Sequence, residues 1–262
     1  MADGNDLRAK WNQGQATFGL WAGIDSSLTA ELAAGAGYDY VCVDLQHGMS
    51  DERTMVAMFQ AIAGAGSTPL ARLAWNEPWL IMRALDLGAG GVIVPLVGSG
   101  DEARRAVAAC KYPPHGNRSY GPIRAQHVVG SSAPSDLADS VVCFAMVETR
   151  DGLDRLEEIA ATPGLDGIYI GPADLSLALG RIPGAGGEAL EEAITQVRET
   201  CEAHGLIPGM HCDSGNTARA FAARGFKLIT VGVDSSLLKS TLIRELAAAT
   251  DQAQVASPEA AV

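Results

Sequence analysis

Two kinds of apolar run alternate along this chain. Short runs, apolar at nearly every position, fall at 17–21, 38–43, 69–73, 91–95, 141–147, 167–171, 206–210 and 227–231. Several are rich in Val, Ile and Leu and do not alternate strictly, the pattern of parallel strands buried on both faces. Longer amphipathic stretches at 26–34, 51–63, 78–87, 103–110, 188–204, 216–224 and 236–249 predict helices between them. Asp25 and Ser50 precede two of these, Gly35 and Gly88 close two, and Asn76 is the N-cap candidate ahead of Pro78. Ser99-Gly-Asp-Glu102 fits a capping box. Strands alternating with helices predict an α/β fold, and right-handed crossovers close eight such strands into a (β/α)8 TIM barrel. Residues 1–250 fit one barrel domain, and 251–262 read as a disordered tail. A doubly wound open sheet is the alternative, but the turn after the first run, Gly19-Leu-Trp-Ala-Gly-Ile24, is not the glycine-rich phosphate turn such a sheet usually carries. One interval breaks the rhythm. Residues 111–140 are rich in Pro, Gly and Ser and long for a connection, which marks a functional or mobile loop.

Composition narrows the class. With 262 residues, 47% of them hydrophobic, the chain can bury a core without disulfides or structural metals. The formal charge of −12, with no Lys/Arg cluster, argues against nucleic acid as a partner. An anionic substrate must then be met by a few local cations or by a metal. Cys42, Cys110, Cys143, Cys201 and Cys212 are odd in number and form no C-x-x-C, so reduced thiols in a cytoplasmic protein are expected. The polar N-terminus does not read as a signal peptide, and the longest apolar stretch, 88–98, is too short for a bilayer, so no membrane partner is expected.

Barrel enzymes place their chemistry at the C-terminal ends of the strands. Those positions here are Trp21; Asp44, Gln46 and His47; Arg72; Glu148; Asp174, reached through Gly171-Pro172-Ala173; His211 and Asp213; and Asp234. Glu148 and Asp174 suit a hard divalent cation, which takes one or two carboxylates and fills its other positions with water and substrate oxygens. Two carboxylates also make an acid/base pair, as in glycosidases. Gly171-Pro172-Ala173-Asp174 reads as a helix start whose free N–H groups hold a carboxylate, so a 2-oxo acid, both chelating and anionic, fits the pair. Asp44 and His47 read as a dyad in which the aspartate orients the imidazole, and Arg72 as a cation for an enolate oxygen. The lysines are Lys10, Lys111, Lys227 and Lys239, none of them at a strand's C-terminal end, which argues against an imine mechanism.

Taken in order, F-G-L-W, Y-D-Y-V-C-V-D-L-Q-H-G, A-R-L-A-W-N-E-P, Y-P-P-H-G-N-R, V-E-T-R-D-G-L, G-I-Y-I-G-P-A-D-L-S and T-V-G-V-D-S-S-L-L resemble the HpcH/HpaI aldolases from about residue 18 to 238. These are class II pyruvate aldolases and include 4-hydroxy-2-oxoheptanedioate aldolase. The resemblance implies a barrel of the phosphoenolpyruvate/pyruvate superfamily type. It implies a lyase joining pyruvate, or a close 2-oxo acid, to an aldehyde through a metal-stabilised enolate. Glu148 and Asp174 then resemble the ligands of Mg²⁺ or Mn²⁺, with Co²⁺ as a further candidate. His47, supported by Asp44, resembles the acid/base histidine, and Arg72 the enolate-stabilising arginine. Gly171, Ala173 and Asp174 match the pyruvate carboxylate site, Trp21 a pocket wall, and Asp86 a residue that reaches a neighbouring subunit's site. The family is typically hexameric, with the last helix swapped between subunits. Two departures stand out: Asp44-Leu-Gln-His47 replaces the more usual D-G-E-H, and His211 stands where many members carry an aliphatic residue. Two other readings remain. An acyl-CoA lyase of the citrate lyase β or malyl-CoA lyase type would need basic groups for the CoA phosphates, for which only Arg118 and Arg124 are available. A non-catalytic barrel serving as an assembly module is the other.

Overall fold

The computed structural model describes residues 3–250; the tail expected at 251–262 lies outside the described residues. Eight parallel strands form a closed barrel in sequence order: β1 (Thr17–Ala22), β2 (Tyr40–Asp44), β3 (Thr68–Arg72), β4 (Gly91–Val94), β5 (Val142–Val147), β6 (Gly167–Ile170), β7 (Ile207–His211) and β8 (Leu228–Val233). Every expected apolar run is a strand, displaced by at most two residues at either end. The (β/α)8 expectation holds.

Strand alternation sorts the core into two layers. Val41, Val43, Ala71, Val92, Val94, Ala145 and Val147 point outward, against the apolar faces of the surrounding helices. Trp21, Tyr40, Cys42, Leu70, Ile93, Phe144, Met146 and Tyr169 form a second cluster that fills the barrel. That interior holds one polar knot: the buried phenols of Tyr40 and Tyr169 both bond Thr230 Oγ1, at 3.1 and 2.6 Å. Asp44, Arg72 and Glu148 keep the phase of Cys42, Leu70 and Met146, so strand geometry turns them into the barrel mouth.

Ser99 caps its helix as expected, whereas the helices expected to follow Asp25 and Ser50 are capped one residue later. Ser26, Asp51, Ser99 and Ser214 each accept a backbone N–H from the first turn. The capping box at Ser99 closes on one side only, because the Glu102 carboxylate accepts the N–H of Gly98 instead, at 2.7 Å. Asn76 is not the N-cap of Pro78–Asp86. Glu77 holds that position, while the Asn76 amide is buried and donates to Glu102 O at 3.1 Å.

Two features were not anticipated. A helix at Gly4–Asn12, opened by a reciprocal Asp3–Asp6 capping box, lies at the N-terminal end of the barrel. Its Leu7 and Trp11 join the interior cluster, and Trp11 Nε1 donates to Thr17 Oγ1 at 3.0 Å. The 111–140 interval is also structured, with short helices at Ala125–Val129 and Pro134–Asp139. The fully buried Arg118 ties it to Asp86, and Arg124 donates to Leu87 O. The last helix, Asp234–Ala249, differs from the rest in burying no apolar side chain: only Asp234 is buried, and Leu238, Leu242, Ile243 and Leu246 are about half exposed or more.

Candidate active site

A cavity of ≈ 450 Å³ opens at the C-terminal mouth of the barrel. Its lining includes Trp21, Asp44, His47, Arg72, Gly171, Ala173, Asp174 and His211, eight positions that strand-end reasoning nominated. Met49, Met146, Ile24, Val233 and Ser235 also line it. Ile24, Met49, Met146 and Val233 carry no chemical signal in the sequence, since apolar residues next to strand ends are indistinguishable from core.

The centre of the site is an ion pair. Arg72 donates to Asp44 through Nε (2.7 Å) and Nη2 (2.6 Å), with both side chains nearly buried. Asp44 also accepts Trp21 Nε1 at 3.1 Å and the backbone N–H groups of Gln46 and His47 at 3.0 and 3.2 Å. Burial pushes its carboxyl up, but the Arg72 guanidinium and these donors outweigh it and hold Asp44 below the usual carboxylate range. This corrects the expected dyad. The hydrogen bonds of Asp44 go to Arg72, the indole and the turn after β2, and it reaches His47 through the backbone rather than the imidazole. The His47 ring is exposed at the rim. Gly48 belongs to the same turn, since a Cβ there would lie 2.2 Å from Asp44 O.

Trp21 is a wall fixed from three sides. Tyr169 stacks on it at 5.7 Å, the Arg72 guanidinium lies 5.3 Å from its ring centre, and His211 meets it edge-on at 5.1 Å. Burial, assisted by the Arg72 charge, lowers the His211 pKa to about 4, so the imidazole is neutral at physiological pH.

Glu148 is 2% exposed. Its Oε1 accepts the N–H of Leu96 at 2.9 Å, while Oε2 is buried with no partner. Burial, with the nearby Asp174 charge adding to it, raises its pKa to about 7. Glycine at 171 makes room for this carboxylate: a Cβ there would lie 2.3 Å from Glu148 Oε2 and 2.6 Å from Met146 Cε. Pro172 opens the next helix as expected, with Gly171 at the N-cap and no side chain capping it. The first bond of that helix runs from Leu175 N to Gly171 O, so the N–H groups of Ala173 and Asp174 are free to face a ligand.

The donor set suits a hard cation. An orphaned, buried carboxylate oxygen is costly alone and is satisfied by a metal ion. No group of three or more His, Cys, Asp or Glu side chains capable of holding a metal occurs among the described residues. A cation held by Glu148 and Asp174 would therefore complete its shell with water and substrate oxygens, the habit of Mg²⁺-like ions rather than of structural zinc.

The sequence model of the HpcH/HpaI aldolase/citrate lyase family matches residues 17–241. The chain belongs to that family. It is 38% identical over 238 residues to the hydroxypyruvate/pyruvate aldolase of Rhizorhabdus wittichii, covering 90% of this chain and 95% of that one. To the 4-hydroxy-2-oxo-heptane-1,7-dioate aldolase of Escherichia coli it is 37% identical over 244 residues, covering 89% and 90%. The crystal structure of a family protein from Burkholderia cenocepacia superposes with a TM-score of 0.87 at 31% identity, covering 95% of this chain and all of that one.

Five nominated positions are absent from the lining of this HpcH/HpaI cavity: Gln46, Asp86, Asp213, Asp234 and Glu148, the last lying against Gly171. Asp86 is absent from its lining and pairs instead with Arg118 at 2.8 Å, whose guanidinium lies over Tyr112. Asp213 bonds Thr217 Oγ1, and Asp234 accepts the N–H groups of Gly23 and Ile24, clamping the turn after β1. Leu96 was missed, because a backbone N–H has no side-chain signature.

Proposed function

We propose that this chain is a divalent-metal-dependent aldolase that reversibly joins pyruvate, or a close 2-oxo acid, to an aldehyde. One observation carries the reading: a buried Arg72–Asp44 pair and an uncapped helix start line a single cavity, and the orphaned carboxylate oxygen of Glu148 lies against Gly171 of that lining. A cation held by Glu148 and Asp174, Mg²⁺ or Mn²⁺ with Co²⁺ as a third candidate, supplies Lewis acidity toward the 2-oxo oxygen when bound. The Ala173 and Asp174 N–H groups bind the substrate carboxylate. Arg72, immobilised by Asp44, stabilises the negative charge that grows on the C2 oxygen. In cleavage, His47 takes the proton of the C4 hydroxyl, the aldehyde C=O forms as the C3–C4 bond breaks, and the bond's electrons become the C2–C3 double bond of an enolate charged on the C2 oxygen, which a proton delivered to C3 from solvent converts to pyruvate. In synthesis His47 returns the proton to the new alkoxide. Trp21 and the neutral His211 wall the pocket in which the aldehyde lies.

The partners of this reading are small molecules and further copies of the chain. The exposed apolar face of Asp234–Ala249 supports a homo-oligomer, a hexamer in which this helix packs on a neighbour, and Asp86 is assigned to the neighbour's site. Five free, buried cysteines support a cytoplasmic location, and no helix among the described residues is long and apolar enough to cross a membrane. The acyl-CoA alternative loses its phosphate-binding candidates, because Arg118 is buried against Asp86 and Arg124 is committed to Leu87 O.

The test is proton exchange at the pyruvate methyl group in D₂O, followed by NMR on metal-stripped protein before and after Mn²⁺ or Mg²⁺ is added. Exchange that appears only with metal is the expected result. No exchange with any divalent cation, with or without an aldehyde present, overturns the reading.

A further inference from the structure

Leu96 is the one non-glycine residue among those described with a left-handed backbone, at φ 53°. An aliphatic side chain rarely adopts this conformation, at a cost of order 1–3 kcal/mol, and it persists only where the surroundings impose it. Here the surroundings are specific. Pro95, which has no N–H of its own, ends the run after β4. The next two N–H groups both turn toward β5: Val97 donates to Met146 O at 3.1 Å, and Leu96 donates to Glu148 Oε1 at 2.9 Å. A left-handed residue is what allows two successive N–H groups to face one side.

The effect on Glu148 is directional. With Oε1 held by Leu96, Oε2 is the oxygen left without a partner, and it lies over Gly171, where a Cβ would collide with it. The carboxylate is thus gripped on one edge by a backbone donor and given clearance on the other by a missing side chain. Neither device carries chemistry itself, and together they leave a single unpartnered oxygen buried against Gly171, a residue of the cavity lining.

We propose that Leu96 is a positioning residue whose strained backbone aims its N–H at Glu148 and so presents Oε2 to the divalent cation. This rests on the reading of Glu148 as a metal ligand and adds the element that orients it. It leads to an inverted ranking of substitutions. Glycine and asparagine keep the N–H and tolerate positive φ, whereas valine and isoleucine keep the hydrophobic character but resist it. Mn²⁺ affinity, measured by electron paramagnetic resonance on the full chain, is expected to be retained in Leu96→Gly and Leu96→Asn. It is expected to fall about 10-fold or more in Leu96→Val and Leu96→Ile, the usual effect of losing an outer partner of a metal ligand. A side chain that merely fills space gives the opposite order, with valine nearest the parent, and that order overturns the proposal. Replacing Leu96 by its α-hydroxy acid removes the N–H while keeping the side chain. An unchanged Mn²⁺ affinity in that ester also overturns it. A parent protein that binds no Mn²⁺ removes the metal reading itself, a failure distinct from a wrong ranking among variants.

Discussion

At the scale of the residue, the site is a set of charges held where water cannot compensate them. Arg72 is 5% exposed and fixed by two hydrogen bonds to Asp44, so in the proposed reaction it would meet a growing oxyanion without reorganising. Arg72→Ala is expected to lower kcat by on the order of 10²-fold or more, the usual effect of losing an oxyanion donor; near-normal turnover in steady-state assays would refute its role. Asp174→Ala is expected to abolish metal-dependent turnover and weaken Mn²⁺ binding, and unchanged metal affinity would refute the assignment. Glu148 makes stability depend on pH and, on the proposed reading, metal binding as well. With its pKa raised from 4.5 to about 7, the folded metal-free protein holds a proton there that the unfolded chain has lost. Its contribution to stability is therefore fully present below 4.5 and declines as pH rises through about 7. A cation competes with that proton, so metal affinity moves the other way and rises toward about pH 7 before levelling off. The increase in Tm on adding Mn²⁺ should be clearly larger at about pH 8 than at about pH 5.5. An equal increase at both would show that Glu148 is not titrating against the metal.

At the scale of the element, the N-terminal helix is part of the barrel core rather than an appendage. Trp11 is 7% exposed, packs edge-on to Phe144 at 5.7 Å and satisfies its indole N–H on Thr17. Trp11→Ala is expected to cost about 3–5 kcal/mol in urea denaturation, the range for emptying a buried tryptophan site. The catalytic mouth lies at the other end of the strands, so KM should not change; a loss well under 1 kcal/mol would mean that the barrel end closes without this helix. The 111–140 interval teaches the complementary lesson. Its composition reads as a functional or mobile loop, and the buried Arg118, paired with the partly buried Asp86, together with the Arg124 contacts pins it to the end of Pro78–Asp86.

At the scale of the whole molecule, the last helix is the feature a single chain leaves unresolved. Leu238, Leu242, Ile243 and Leu246 are 49–66% exposed on one 16-residue helix, an apolar surface that self-association would cover. Leu242→Glu combined with Leu246→Glu is expected to reduce the mass measured by light scattering, because two charges cannot be buried unpaired. A parent protein that is already monomeric, or a double variant of unchanged mass, would remove this helix from the interface.

Much of this was legible from the sequence. Parallel strands buried on both faces must be largely apolar, so eight apolar runs, several of them rich in Val, Ile and Leu, with helices between them already pointed to a barrel over an open sheet. The two-residue period of a strand then determined that Asp44, Arg72 and Glu148, two positions beyond interior residues, face its mouth. Gly171-Pro172 likewise announced a helix start through the chemistry of those two residues alone. Tertiary structure decided the pairings. Asp44 is three residues from His47 in sequence, but parallel register places it directly beside Arg72, whose fork of donors matches a carboxylate better than an exposed imidazole does. The orphaned oxygen of Glu148, the strained turn at Leu96 and the burial of Arg118 under a polar-looking loop arise from distant segments meeting. No local pattern encodes such meetings, because the energy that enforces them appears only when the barrel closes.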